Sequence, residues 1–493
     1  MLRRNFLKSI GLLTVGPVVS VPAFAEGKSA TSAEISGKVT SSGKGIAGVI
    51  ITDGYNVTTS GSDGRYKLTA HDQAEFVYMS LPAGYAVPNI KGVARFYEKI
   101  ARNGARQTVD FSLTKLDQSD NKHAFILWGD TQILDKDDAQ KLITIAAPDT
   151  RDVVKSLGNI PIFGIGCGDL VFDHLDLFKD YKEAVEITGT TFFQVIGNHD
   201  MDLQARTDDM SQETFKDTFG PTYYSFNRGK VHYVVLDDVF FLGAGAGYTG
   251  YITENQLKWL EKDLAHIPRD YTIVVALHIP TADAERGKKK VKPEKGSGIA
   301  NRNGLYKILE PFKKVHILSG HTHYNENWEE GNIMEHNHGT VCGAWWTGPI
   351  CGDGTPSGFG VYEVDGENIS WYYKPTGQPK QNQMKLYRQG EYAEKPEAIL
   401  ANVFNWDGKW KVEWLEDGVV KGEMEQVTGF DPLAVQLYKG QEKPSKHAWV
   451  EPVATDHLFV AVPSAGAKKV QVKATDRFGN VYTEELLIGN RQA

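Results

Sequence analysis

The sequence predicts a central α/β domain between two smaller all-β domains of a 493-residue chain. Between residues 123 and 365, short apolar runs typical of buried strands alternate with helical segments, which indicates a layered α/β domain with both sheet faces covered. The segments on either side carry strand-like runs separated by Gly, Ser and Asp turn signals. Hydrophobic residues make up 41% and charged residues 24%, so the chain has the composition of ordinary globular protein.

The strands of the central domain are predicted at short apolar runs rich in β-branched and aromatic residues. These runs are residues 124–128, 160–165, 191–196, 231–236, 272–277 and 315–318. Helical patterns lie between them, for example over residues 136–147 and 254–265. On this basis we assign residues 120–366 to the central domain.

Both flanking segments are predicted to be β-sandwiches. Residues 33–115 contain an Asp63-Gly64 pair, which is typical of a tight hairpin, and the segment resembles the prealbumin-like modules of exported bacterial enzymes. Residues 116–121 are polar and predict a linker. Residues 370–493 return to β character, with hairpin turns predicted around residues 407 and 417 and the last strands at 458–462, 469–474 and 481–487.

Residues 1–25 are typical of an export signal. Arg3 and Arg4 stand before an apolar run that is short and interrupted by Gly and Pro, and the string Arg-Arg-x-Phe-Leu-Lys resembles a twin-arginine signal. An ordinary secretory signal is the alternative. We therefore expect an exported, periplasmic protein whose mature chain begins near Glu26 and has no transmembrane span.

Net charge and cysteine content exclude two classes of protein. A formal charge of −8 provides no general basic surface, so the chain is not expected to wrap nucleic acid. An anionic substrate would need a local positive charge, which bound metal ions supply. Three cysteines do not make a disulfide framework. Cys342 and Cys351 are expected either to pair or to be buried thiols, and Cys167 to pack in the core.

Five predicted strands of the central domain are followed by residues that bind metals or transfer protons. The motifs are Asp130-Thr131-Gln132, Gly168-Asp169 with Asp173, Gly197-Asn198-His199-Asp200, His278, and Gly320-His321-Thr322-His323. Because the carboxyl ends of strands in an α/β sheet meet at one edge, we expect these distant segments to converge. Carboxylate, amide oxygen and neutral imidazole are ligands for Mn, Fe or Zn ions. The sequence therefore predicts a metal site.

The five motifs resemble those of the calcineurin-like metallophosphoesterase superfamily. The pattern of that family is Asp-x-His, Gly-Asp-x-x-Asp, Gly-Asn-His-Asp/Glu, His and Gly-His-x-His, and four of the five match in order. The resemblance implies a two-sheet α-β-β-α sandwich for the central domain. It also implies two metal ions, the first held by Asp130, Gln132, Asp169 and His323 and the second by Asp169, Asn198, His278 and His321.

The resemblance implies that the reaction is hydrolysis of phosphate esters. Two ions roughly 3.5–4 Å apart can hold a hydroxide and clamp the phosphoryl oxygens during in-line attack. His199 would contact the phosphate or protonate the leaving group, with Asp173 or Asp200 as its partner. Asn198 is expected to lie against the substrate as well as the metal.

Gln132 departs from the family pattern, because most of the superfamily has His at this position. A Gln carbonyl is a neutral and weaker oxygen ligand that does not titrate. Some branches of the superfamily nevertheless carry Asp-x-Gln, so we keep Gln132 as a predicted ligand of a metal ion that is bound more loosely or prefers oxygen. The same branch makes hydrolysis of a nucleotide-type pyrophosphate bond an alternative to ester hydrolysis.

Three further features near the motifs have competing interpretations. Trp345, one of two adjacent tryptophans, is expected either to line a substrate pocket or to pack in the core. The basic run 286–292 would steer an anionic substrate or form a solvated loop. His336 and His338 are expected at the pocket edge or as hydrogen-bonded loop residues.

The predicted function is metal-dependent hydrolysis of a phosphomonoester or phosphodiester that is a small molecule or is linked to a glycan. A hypothesis of another class is a non-catalytic protein that binds glycans or the cell envelope through its β-modules. The motif residues that are intact argue against that hypothesis; they are Asp130, Asp169, Asn198, His278, His321 and His323.

Overall fold

The computed structural model describes residues 33–101, 106–282, 298–441 and 443–488. The predicted export signal and the basic run 286–292 lie outside the described residues. Within the described ranges, no helix is both long enough and apolar enough to cross a membrane. Two large sheets form the centre of the molecule, and smaller all-β units precede and follow them in sequence.

The first central sheet has seven strands. In order across the sheet they are Asn368–Pro375, Gly358–Asp365, Lys122–Trp128, Ile162–Cys167, Thr191–Val195, Val93–Ala94 and Asn89–Ile90. The three strands in the middle are parallel, with Ala124 opposite Ile162 and Phe163 opposite Thr191. Their carboxyl ends therefore lie at the same edge of the sheet.

The second central sheet has six strands. In order they are Tyr224–Arg228, Val231–Val235, Thr272–Ala276, Val315–Ser319, Ile333–Asn337 and Glu326–Glu330. The four strands in the middle are parallel to one another, for example with Ile273 opposite Val315. This sheet also gathers its carboxyl ends at one edge. A separate hairpin, Val239–Phe241 with Tyr248–Gly250, follows the second of its strands.

The two central sheets pack face to face through aromatic rings. Phe193 of the first sheet stacks on Phe226 of the second with ring centroids 3.9 Å apart, and Phe163 meets Tyr233 edge-on at 5.1 Å. Such pairs contribute about 0.5–1.5 kcal/mol beyond the area they bury. The remaining faces of both sheets pack against helices. The predicted α-β-β-α arrangement is therefore confirmed.

The helices that cover the sheets begin and end where the sequence supplies caps and apolar stripes. The first sheet is covered by Phe178–Thr188 and by Lys136–Lys141, which continues through the π turn Leu142–Ala146 into Ala147–Ser156. The second sheet is covered by Glu254–Leu264 and Arg302–Leu309. Thr253 caps one of them by accepting the Gln256 N–H, and Trp259 and Leu260 are buried on its inner face. Shorter helical segments are Leu175–Leu177, Asp208–Ser211, Glu213–Phe219 and Pro432–Lys439.

The N-terminal unit has two small sheets and is joined to the central domain. One contains Glu34–Ser41, Lys44–Gly45, Arg65–Thr69, Gln107–Thr108 and Phe111–Ser112; the other contains Ile50–Thr52, Val57–Thr59, Phe76–Met79 and Tyr97–Lys99. Strand Val93–Ala94 leaves this unit and pairs with Phe192 of the first central sheet. At the other end, strand Asn368–Pro375 extends the same sheet beyond residue 366. The domain limits derived from the sequence stay a proposal, since these strands cross them.

The C-terminal unit has two four-stranded antiparallel sheets. Their strands are Met384–Tyr387, Ile399–Val403, Ala454–Ala461 and Glu425–Phe430 in one, and Val419–Glu423, Lys411–Glu416, Lys469–Thr475 and Val481–Leu487 in the other. Asp417 and Gly418 have φ values of 46° and 85° and join two paired strands, as the hairpin prediction requires.

Two other predicted hairpins are wrong. Asp63 and Gly64 lie between strand Val57–Thr59, which pairs with Ile50–Thr52, and strand Arg65–Thr69, which pairs with Glu34–Ser41 of the other sheet. The turn around residue 407 likewise connects strands of two different sheets. A tight turn reverses the direction of the chain locally. Which strand each segment then pairs with depends on where the apolar face of that segment is buried.

A buried hydrogen bond of the central domain provides a stability test. Trp128 is fully buried, and its indole N–H donates to Thr150 Oγ1 at 3.0 Å. Thr150→Val keeps the shape but leaves the N–H unpaired, so the free energy of unfolding should fall by about 1–3 kcal/mol. Urea denaturation followed by tryptophan fluorescence measures this loss. Thr144→Val, at an exposed position of the π turn, should change it by less than about 0.5 kcal/mol; equal losses would contradict the assignment.

Candidate metal centre

The five predicted motifs meet at the edge where the parallel strands of both central sheets end. Asp130, Asp169 and Asn198 follow strands of the first sheet, and His278 and His321 follow strands of the second. Asp169 Oδ1 lies 3.3 Å from His278 Nε2, and His321 Nδ1 lies 3.2 Å from the same nitrogen. Ligand atoms of Asp169, His278 and His321 all lie within 4.8 Å of one another. This spacing is compatible with three ligands of one ion.

The imidazole of His278 is held in the orientation that a metal ligand needs. Its Nδ1 lies 3.0 Å from the carbonyl oxygen of Cys167, which accepts the ring N–H, so Nε2 is the ring atom that faces Asp169. Asn198 Oδ1 lies 3.1 Å from the same Nε2. Asp238, which no motif predicted, accepts the backbone N–H of His278 at 3.0 Å and thereby fixes the chain at this point.

A second group of buried atoms lies around Asp130. His323 Nδ1 lies 3.0 Å from the Gly343 carbonyl, while its Nε2 is 3.5 Å from Asp130 Oδ1. Gln132 donates its Nε2–H to Asp169 Oδ2 at 3.0 Å. Within the described ranges, His323 Nε2 and Gln132 Oε1 are buried without a hydrogen-bond partner. Because unpaired buried polar atoms are costly, this group fits a bound cation that both atoms would coordinate.

Burial and neighbouring charges shift the pKa values of the cluster in opposite directions. Burial opposes ionisation of Asp169, but the charges of His278 and His199 outweigh it and hold its pKa well below its usual range. Burial disfavours a charged His278, yet the carboxylate of Asp169 raises its pKa to about 10. Burial and the charge on His278 lower the pKa of His321 to about 3. The electrostatic potential beside Asp169 therefore favours binding of a cation, as a metal site requires.

Backbone strain is concentrated at the motifs. Seven predicted site residues have positive φ: Asp130 (36°), Gln132 (38°), Asp169 (47°), Asp173 (63°), His321 (68°), His323 (57°) and Trp345 (50°). Each such residue costs on the order of 1–3 kcal/mol and persists only where the surroundings hold it. The hydrogen bonds from Gln132 N to Asp169 O, at 2.8 Å, and from His321 N to Asp130 Oδ2, at 2.9 Å, hold two of these turns.

Two motif glycines are explained by the close approach of the strand ends. A Cβ atom at Gly197 would lie 2.1 Å from the backbone nitrogen of Asp169, and one at Gly320 would lie 2.3 Å from Asp130 Oδ2. Both contacts are impossible for any residue larger than glycine without moving a predicted ligand. The glycines therefore allow the two carboxylates to reach the site.

The predicted proton donor and its two candidate partners have different surroundings. His199 Nδ1 lies 2.7 Å from Asp173 Oδ1, and the ring stacks on Phe172 with centroids 4.1 Å apart. Burial lowers the pKa of His199, but Asp169 and Asp173 together raise it above its ordinary value. Asp200 is fully buried and binds backbone instead, because its oxygens accept the N–H groups of Leu170, Val171 and Gly197. Asp173 is thus the partner of His199, and Asp200 supports the loop that carries Asp169.

Trp345 lies against the metal-site residues, whereas the second His-x-His pair does not. The Trp345 ring stacks on His323 with centroids 3.9 Å apart. His336 and His338 are buried rather than at a pocket edge. His336 Nε2 lies 3.0 Å from His316 Nδ1, and His338 Nε2 lies 2.5 Å from the Tyr362 hydroxyl. The pocket-edge expectation is wrong because His336 belongs to the strand Ile333–Asn337 inside the sheet and His338 follows it directly, with both side chains buried.

The cysteines are buried and unpaired. Cys342 and Cys351 are free thiols, and each lies within reach of the Thr340 hydroxyl, at 3.5 and 3.8 Å. Cys167 packs beneath the site with its Sγ 3.0 Å from the Leu277 carbonyl. Burial raises the pKa of the Cys167 thiol well above its usual value, so it is an inert core residue.

Fold and site together define a class of protein, an α-β-β-α sandwich that gathers Asp, Asn and His side chains where the strands of both sheets end. Three family models match consecutive segments: N terminal of Calcineurin-like phosphoesterase over residues 33–116, Calcineurin-like phosphoesterase over 115–325, and C terminal of Calcineurin-like phosphoesterase over 335–482. The chain belongs to the calcineurin-like phosphoesterases, a family of phosphoester hydrolases.

Individual relatives are distant. Purple acid phosphatase 15 of Arabidopsis thaliana is 26% identical over 168 residues, which are 32% of this chain and 28% of the relative. The match thus spans less than a third of the length of that curated relative. Purple acid phosphatase PPD1 from yellow lupin (Lupinus luteus) seeds has 12% identity and a TM-score of 0.37, with 67% of each chain covered. The structure of PhoD has 8% identity and a TM-score of 0.37, with 94% of this chain and 87% of that chain covered.

The two groups of ligand atoms predict two metal equivalents that respond to different substitutions. Gln132→Ala removes a predicted ligand oxygen from the group around Asp130 together with a hydrogen bond to Asp169, and His278→Ala removes a predicted ligand nitrogen from the group around His321. Each should weaken binding of one Mn²⁺ by at least about tenfold and leave the other in place. Titration of the apoprotein with Mn²⁺, followed by mass spectrometry of bound metal, measures both. His174→Ala, at an exposed position, is the control, and two unaltered equivalents in Gln132→Ala would exclude Gln132 as a ligand.

Proposed function

We propose that this chain hydrolyses phosphate monoesters or diesters with two transition-metal ions bound at the candidate metal centre. The observation that carries the proposal is the convergence of Asp169, His278 and His321 within 4.8 Å. It is supported by the buried atoms Gln132 Oε1 and His323 Nε2, which lack hydrogen-bond partners among the described residues. Carboxylate and imidazole side chains that converge at a sheet edge favour metal-assisted hydrolysis over a mechanism in which a side chain of the motifs is the nucleophile.

The ligands divide into two sets that share one carboxylate. Asp130, Gln132, Asp169 and His323 would hold one ion, and Asp169, Asn198, His278 and His321 would hold the other. Bound there, Mn, Fe or Zn ions would lower the pKa of a water molecule and neutralise the phosphoryl oxygens. Asp169 lies beside both Gln132 Nε2 and His278 Nε2, which supports its role as the shared ligand.

The side chains that are not ligands orient the substrate and transfer a proton. His199 keeps Nδ1 on Asp173, so Nε2 is the atom that can protonate the leaving oxygen. Asn198 turns Oδ1 toward His278, and its Nδ2 can donate a hydrogen bond to a phosphoryl oxygen.

Hydrolysis of a nucleotide-type pyrophosphate bond is the second candidate, because Gln132 stands where most of the family has His. The glycan- or envelope-binding hypothesis would require the metal centre to be inactive. Export to the periplasm is proposed from the sequence of the first 25 residues alone, which lie outside the described part of the chain.

Asp169→Asn tests the proposed reaction. The substitution removes the charge that both ions would share, so bound Mn²⁺ should fall and kcat should drop at least about 1,000-fold, because bound ions supply several kcal/mol of transition-state stabilisation. Activity is measured with an aryl phosphate, a diaryl phosphate and a nucleotide sugar, which separates the three bond types. Asp176→Asn, at an exposed position of the helical segment Leu175–Leu177 that follows the Asp169 loop, is the matched control. Unchanged metal content and activity in Asp169→Asn would favour the binding hypothesis.

His199→Ala tests the proton donor. Loss of a general acid should slow hydrolysis of an alkyl phosphate by about 10²–10⁴-fold. Hydrolysis of p-nitrophenyl phosphate should fall much less, since this leaving group departs without a proton. His174→Ala provides a histidine control at an exposed position of the loop that carries Asp173. Equal losses on both substrates would assign His199 to phosphate binding instead of proton transfer.

A further inference from the structure

A continuous series of ring contacts connects the two sides of the candidate metal centre. It begins at His199, which stacks on Phe172 at 4.1 Å, and continues from Phe172 to His447 at 5.4 Å. His447 meets Trp449 at 5.5 Å, and Trp449 meets Trp345 at 4.4 Å. We call Phe172, His447, Trp449 and Trp345 the aromatic arc. It ends where Trp345 stacks on His323 at 3.9 Å.

Half of the aromatic arc belongs to the C-terminal unit. His447 and Trp449 lie in the segment between helix Pro432–Lys439 and strand Ala454–Ala461, more than 100 residues after His323. Lys446 anchors this segment to the central domain, because its Nζ lies 2.6 Å from Asp138 Oδ1 and 3.0 Å from Asp135 Oδ2. His447 has a φ of 53°, so the backbone turns sharply between the anchor and Trp449. The segment is therefore held at the mouth of the site.

Trp449 is placed as a contact surface and not as a packing residue. It remains 56% exposed although its ring touches Trp345. The two rings are inclined at 69°, so they meet edge to face and are not stacked flat on each other. Simple packing between the two units would bury the largest side chain of the segment. An exposed aromatic group beside a predicted metal centre instead indicates a ligand-contacting surface.

We propose that the aromatic arc binds a flat aromatic ring carried by the alcohol part of the phosphoester. This inference rests on the proposed function, since the phosphate must lie at the metal centre for the ester's organic group to reach the arc. Trp345 contacts His323 and Trp449 lies one ring further out, so an aryl or nucleobase-type group would stack outside the metal ligands. The C-terminal unit thus supplies part of the specificity of the reaction.

Binding of three phosphonates to the full-length protein tests this inference, because phosphonates occupy a phosphate site without being hydrolysed. Phenylphosphonate, cyclohexylphosphonate and methylphosphonate are compared by isothermal titration calorimetry in the presence of Mn²⁺. The phenyl compound should bind about tenfold more tightly than the other two. Cyclohexylphosphonate separates ring stacking from apolar contact of the same size.

Trp449→Ala should reduce the preference for the phenyl compound to less than about twofold and leave methylphosphonate binding unchanged. Phe478→Ala is the matched control, because Phe478 is an exposed aromatic residue of the same unit that contacts Trp371 and not the arc. The inference is overturned if the preference survives in Trp449→Ala, if cyclohexylphosphonate binds as tightly as the phenyl compound, or if the wild type shows no preference. An intact preference without hydrolysis of any ester would instead contradict the proposed function.

Discussion

The buried carboxylate of Asp169 is the group around which the rest of the site is arranged. Its Oδ1 accepts the backbone N–H of His199 at 2.9 Å and lies 3.3 Å from His278, while Oδ2 accepts the Gln132 amide at 3.0 Å. A buried carboxylate without partners would carry a penalty of several kcal/mol. Partners from three other motifs are therefore required, and the aromatic packing of the two sheets fixes how closely those motifs approach.

Gln132 illustrates how the geometry changes the interpretation of a departure from the family pattern. From the sequence alone, it is a weaker ligand in place of His. In the structure its Nε2–H binds Asp169 while its Oε1 has no partner among the described residues. The amide of Gln132 can therefore orient the Asp169 carboxylate through its N–H and still offer its oxygen to a cation. An imidazole with the same two contacts would do so only as one fixed tautomer.

The sequence predicts the secondary structure that depends on neighbouring residues, but it does not predict contacts between residues that are distant in sequence. The parallel strands and the residues after them follow from apolar runs and their polar ends, so Asp130, Asp169 and His278 were predicted to converge. Asp63-Gly64 and Asp417-Gly418 are the same turn signal, yet only the second joins paired strands, because sheet membership depends on distant faces. No local signal places Trp449 beside the site, because Trp345, the arc residue that it meets on the central domain, lies about 100 residues earlier in the sequence.

The C-terminal unit is tied to the metal centre at two separate places. Besides the Lys446 anchor, His457 Nε2 lies 3.0 Å from Asp353 Oδ2, the oxygen that accepts the N–H of Asn325 at 2.9 Å. Asn325 follows the predicted ligand His323 by two residues, so buried hydrogen bonds connect this unit to the loop of that predicted ligand. The strained turn at His323, with φ of 57°, requires such outside support. The C-terminal unit thus supports the loops of the site, and its aromatic side chains also border the site.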